Sequence, residues 1–165
     1  MKKIIFIVLL LCQAIIIGRT ENIKRDNNNL VTSLEISNMK QSEFSVSNLY
    51  KYLQLIQVED ADVVIAQFVV ETGWFKSKLF RIGNNICGMK KASKRLTTAT
   101  GTMYGYASFN HWTDSVDDFK LWLQYHNLSK GYFKQIQKKN YSENSEYTTL
   151  VMKVHKKIVK DKLLV

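Results

Sequence analysis

The chain has 165 residues, a length that suits one domain and excludes two full catalytic domains. Hydrophobic residues make up 45% of it, with 3 Trp, 8 Tyr and 8 Phe, so it has the apolar surface for a packed core and stands outside the disordered regime. The absence of proline excludes Pro-rich and collagen-like designs and, with only 7 glycines, favours helices over a many-stranded sandwich, while a net charge of +10 calls for an anionic counterpart.

Residues 1–18 read as a secretory signal peptide. Lys2 and Lys3 precede an apolar run from Ile4 to Ile17, interrupted by Gln13, and a polar stretch opens at Arg19. The run is shorter than the roughly 20 residues a spanning helix needs, so an uncleaved anchor is the weaker alternative. Lipidation at Cys12 is weaker too, because Leu11 stands where a small residue is required. Cleavage after Gly18 is the expectation, with no stable membrane insertion afterwards. It would remove Lys2 and Lys3 and no acid, lowering the net charge from +10 to +8. For an exported chain that basic surface points to a carboxylate-bearing envelope polymer rather than to nucleic acid. Only Cys87 would remain, so no internal disulfide forms, and no spacing of Cys or His suggests a metal.

Residues 19–41 are polar, with Asn27, Asn28 and Asn29 in succession, and lack helical periodicity; they read as an exposed leader to a domain over 42–165. Val46, Leu49, Tyr50, Leu53 and Ile56 then form one apolar stripe, which predicts a helix with Ser45 as N-cap. Asp60 is the expected cap of a second helix, whose stripe Ala61, Val64, Ile65 and Phe68 runs on to a stop at Gly73. From Leu96 to Phe109, threonines and tyrosines punctuated by Gly101 and Gly105 predict a short hairpin. Ser115 and Asp118 approximate a capping box for a third helix reaching about His126. Leu150, Val151, Val154 and Ile158 make the apolar face of the last helix, and lysines fill the rest. No phosphate-binding glycine loop occurs.

Glu71 falls at i+7 from Val64 and i+3 from Phe68, so the pattern presents a carboxylate from the apolar face of the second helix, in its last turn. Burial and the negative end of the helix dipole would both disfavour its charged form. A carboxylic acid protonated near neutral pH is what a glycosidase uses to protonate a leaving oxygen. The alternative at this point is a terminal glutamate that rotates into solvent.

The run from Ala66 to Leu79, containing Gln67, Glu71, Thr72, Gly73 and Ser77, and the run Asn84-Asn85-Ile86-Cys87-Gly88-Met89-Lys90 resemble the bacterial glucosaminidase domain, the family 73 glycoside hydrolases. Tyr106 to Trp112 and Ser115 to Phe119 resemble the family's aromatic hairpin and the helix start that follows it, and the likeness spans about residues 45–162. The resemblance implies a mostly α, lysozyme-like domain with a small β-hairpin and hydrolysis of the β-1,4 bond after N-acetylglucosamine in peptidoglycan. Glu71 would be the general acid. Asn84 and Asn85, with Gly88, would shape the adjoining loop and contact sugar. Trp74, Phe75, Tyr104, Tyr106, Phe109 and Trp112 are candidates for the groove walls, since aromatic faces pack on pyranose C–H surfaces, with the core as the alternative place for many of them. Residues 140–147 resemble the family's G-Y-A-T-D-P-x-Y turn, which assigns Tyr141 a catalytic role. No cofactor or metal is implied, and the expected protein is a monomer working outside the cytoplasm on glycan strands.

One departure bears on mechanism. Many members of the family it resembles carry a second glutamate in the hairpin, but Lys90 to Asn110 contains no acid. The substrate's acetamido group could replace it, or Asp114, Asp117 or Asp118 could serve. An inactive wall-binding homologue and a lytic transglycosylase are the other readings of that gap. His111, His126 and His155 are expected to be incidental.

Overall fold

A computed structural model of the protein describes residues 2–132, 134 and 146–164. The chain forms two units, residues 1–38 and 39–165. The first is carried by helix α1 (Lys2–Met39), exposed over nearly all of residues 17–38. The predicted non-helical leader is therefore helical. With no proline in the chain, nothing in this run forbids helical backbone, and a helix that buries no face needs no apolar period. Among the described residues no helix is long and apolar enough to cross a membrane.

The second unit is built around a central helix. α2 (Val46–Leu55) starts at Ser45, whose side chain accepts from Asn48 N as predicted. α3 (Ala61–Thr72) follows, then α4 (Lys78–Gly83), strands β1 (Gly101–Met103) and β2 (Tyr106–Ser108), α5 (Trp112–Tyr125) and α6 (Tyr147–Lys160). α3 is rich in valine and isoleucine, which do not favour helices, yet it is helical because it is surrounded: Val63, Val64, Ile65, Ala66, Phe68 and Val69 are all buried. Among the described elements α6 packs most extensively along α3, through Val151 and Ile158, and α2 and the ring of Phe119 on α5 complete the core.

β1 and β2 pair antiparallel, Thr102 opposite Ala107, across the two-residue turn Tyr104-Gly105. Both turn residues have positive φ, 52° and 80°, the backbone that matches the twist of a tight hairpin and that Gly105 adopts without strain. Two predicted caps differ from expectation. Asp60 occupies the N-cap position of α3 but its side chain makes no capping bond. α5 starts at Trp112 rather than near Ser115: His111 caps it, and Asp114 returns a carboxylate to His111 N at 3.1 Å. Asp118 is left free for another task, since it is buried and takes Arg95 in an ion pair of 2.7 Å.

Candidate active site

The site begins at the sharp end of α3. Gly73, Trp74 and Phe75 all take left-handed backbone, φ 56°, 60° and 60°, which costs the two non-glycine residues about 1–3 kcal/mol each. Thr72 holds the bend: its hydroxyl donates to Phe68 O at 2.6 Å and accepts from Phe75 N at 3.0 Å. Glu71, one residue earlier, is thereby fixed in the final helical turn. Its side chain is exposed, not half-buried as its place on the apolar stripe suggested, because α3 ends there and the cleft beside it is open.

Two neighbours define the carboxylate. The Tyr147 hydroxyl, on the first turn of α6, donates to Glu71 Oε1 at 2.7 Å. α6 is held to α3 at its far end by His155 Nε2 against Asp62 Oδ2, also at 2.7 Å. On the other side lies Gly88, at φ 65°, where an added Cβ would stand 3.5 Å from Glu71 Oε2. Gly88 is thus placed by backbone conformation and keeps the space beside that oxygen clear.

Glu71 lines a cleft of about 460 Å³. One wall is α5, where Trp122, Tyr125 and His126 share a face at helical spacing, with Phe119 below. The other is the loop from Cys87 to Arg95, including Lys90, Lys91 and Lys94. Gln67 lies one turn before Glu71 and accepts from the Tyr132 hydroxyl at 2.6 Å. Among the described lining residues Glu71 is the only acid. Burial pushes the thiol of Cys87 up from its ordinary range, which disfavours a thiolate nucleophile there. Among the described residues no cluster of His, Cys, Asp and Glu could hold a metal.

The predicted sugar contacts separate into two groups. Asn85, Phe109 and Trp112 are buried, and that burial removes them from the cleft surface. Asn85 donates to Met89 O and Ala107 O, both at 2.8 Å, and accepts from Met89 N, so it fastens the loop to the hairpin. Trp112 donates from Nε1 to Ser42 O and packs edge-on against Phe44 and Tyr52, which makes it a core residue. Asn84 caps α4 and bonds Phe109 O and Asn110 O, again as support for the loop. Trp74, Tyr104 and Tyr106 are exposed, Trp74 with Lys157 over its ring at 5.7 Å. All three lie outside the lining of the Glu71 cleft. Tyr141 lies outside the described residues.

Sequence reasoning passed over Tyr147 and the α5 face. Tyr147 was within reach, being the last tyrosine of the same turn that singled out Tyr141. Trp122, Tyr125 and His126 gave no such signal, since aromatic residues at helical spacing are usually core.

The second unit is a mostly helical, lysozyme-like domain that presents one carboxylate to an open cleft. A family model described as glucosaminidase, mannosyl-glycoprotein endo-beta-N-acetylglucosaminidase, matches residues 46–160, and the chain belongs to that family. It is also similar to Protein bax of Escherichia coli (strain K12), 34% identical over 74 residues. That match covers 45% of this chain and 27% of the relative, so the chain spans about a quarter of that protein's length. No solved structure gives a significant match.

Proposed function

We propose that the protein is a secreted, monomeric peptidoglycan hydrolase that cleaves the β-1,4 bond following N-acetylglucosamine, with Glu71 as general acid. Membership of the glucosaminidase family supports the bond type, and the signal-like residues 1–18 support export. The observation that carries the reading is the carboxylate of Glu71 in a cleft with aromatic and cationic walls, one oxygen held by Tyr147 and the other beside Gly88.

In this reading a glycan strand lies along the cleft with the glycosidic oxygen near Glu71 Oε2. The proton on Oε2 passes to that oxygen as the C1–O bond breaks and the bonding pair leaves with it. The Tyr147 hydroxyl, donating to Oε1, steadies the carboxylate that forms and fixes its orientation. The positive charge growing at C1 must be met by an incoming electron pair. With no second acid among the described lining residues, that pair comes from water or from the acetamido oxygen of the sugar itself. Where water supplies the pair, it bonds to C1 directly and gives up a proton to Glu71; where the acetamido oxygen supplies it, water then displaces that oxygen from C1 and gives its proton to Glu71.

A lone acid among the described lining residues also favours a second reading, lytic transglycosylation, in which the 6-hydroxyl of a muramic acid unit attacks its own C1. Digestion of purified sacculi followed by mass spectrometry of the fragments tests both. Reducing ends of N-acetylglucosamine support the proposal, and 1,6-anhydro-muramic ends replace it with the second reading. Retention of the protein on sacculi with no fragments released would make it a wall-binding homologue.

A further inference from the structure

We propose that Lys90, Lys91 and Lys94 form a carboxylate-reading wall, so that the protein prefers glycan strands that still carry their peptide stems. This rests on the peptidoglycan reading and goes beyond it, to which part of the polymer the cleft recognises. The loop bearing these lysines is tied down at both ends. Asn85 bonds Met89 at its start, and at its far end Arg95 makes two bonds to the buried carboxylate of Asp118, which also accepts from Thr98 N. Between those anchors the three lysines line the same cleft as Glu71, are exposed, and make no ion pair among the described residues.

Arg95 is spent on Asp118, so the cationic character that faces a ligand belongs to the lysines. A neutral sugar chain would gain nothing from three uncompensated charges beside one glutamate. A peptide stem carries several carboxylates and hangs from the muramic acid next to the bond to be cut. The opposite wall is Trp122, Tyr125 and His126, flat surfaces suited to the sugar rings. The arrangement divides the work: rings on α5, carboxylates on the loop. The flexible, exposed lysines give a modest preference, about tenfold in affinity at low salt, falling as salt rises.

The test uses the full-length E71Q protein, so that binding is read without turnover. Three probes of equal sugar length are compared: neutral chitin oligosaccharides, amidase-stripped strands bearing the lactyl carboxylate alone, and stem-bearing strands. The expected order of affinity is stem-bearing above stripped above neutral. In K90Q/K91Q/K94Q the three should converge, whereas K153Q/K156Q/K160Q, which removes the same charge from α6, should keep the order. Equal loss in both triple variants would overturn the proposal, because bulk charge would explain it. Stripped strands binding as tightly as stem-bearing ones would overturn the assignment to the stem. If selective binding is seen but the wild type releases no fragments, the lysine wall stands and the hydrolase reading falls.

Discussion

Replacing Arg95 with methionine strikes the joint between the core and the loop from Cys87 to Arg95. Asp118 is fully buried and accepts Arg95 Nη1 at 3.1 Å, Arg95 Nη2 at 2.7 Å and Thr98 N at 3.1 Å. The Arg95 side chain is 7% exposed, so the pair is held away from water on both sides. Methionine keeps most of the side-chain volume and removes both charged donors, leaving a buried carboxylate with one amide for company. Breaking such a pair from one side costs about 3–5 kcal/mol. Against a total stability of about 5–15 kcal/mol that is a large share. It should lower the Tm on the order of 10 °C or more. Urea denaturation measures the loss directly. The double variant R95M/D118L should recover most of it, because no unpaired charge remains. A single-variant loss under about 1 kcal/mol, with the double variant no better, would show that water reaches the pair and would refute the reasoning.

Tyr147→Phe removes the hydroxyl that donates to Glu71 and should lower kcat about tenfold with KM little changed, as expected for one bond to a charged acceptor of about 1–2 kcal/mol; steady-state kinetics on soluble glycan strands reads it, and an unchanged kcat counts against Tyr147 as a positioning residue. Cys87, whose thiol burial pushes up, should react slowly with a disulfide reagent at pH 8 in the native protein and at the ordinary rate in urea; prompt native labelling would contradict that. Tyr52 is raised above its ordinary 10.0, first by burial and then by the negative charge of Asp117, whose Oδ1 accepts its hydroxyl at 2.8 Å. The unfolded chain therefore ionises first. The stabilisation is complete below pH 10 and is lost as pH rises past it, by up to about 1.4 kcal/mol per pH unit. Stability profiles of wild type and Y52F from pH 9 to 11 should diverge on that limb, and parallel curves would count against it.

The parts of this protein legible in its sequence are those where one physical rule acts alone. Ser45 and Gly73 each announce a boundary by local backbone chemistry, and the structure puts boundaries there, while the glycine-punctuated run from Leu96 to Phe109 announces a hairpin without fixing its turn. α4 was not foreseen, because six residues are too few to show a period. The expected N-cap of α5, Ser115, lies four residues after the observed one, His111, since histidine is not among the usual capping residues and Ser115 and Asp118 offer a more familiar pattern. Glu71 could be singled out from its spacing and the residues around it, but its exposure could not, because that depends on where α5, α6 and the loop from Cys87 to Arg95 leave room. Phe109 and Trp112 show the same limit from the other side: an aromatic ring suits a sugar groove and a core equally well, and here the core claims both.

Proton donation by Glu71 is tested most directly by comparing wild type and E71Q on two glycosides of the same sugar, one with an ordinary sugar leaving group and one with a dinitrophenolate that departs without protonation. E71Q should lose roughly 10²–10⁴-fold on the first and far less on the second. Equal losses on both, or no loss on either, would contradict the role of Glu71 as the acid.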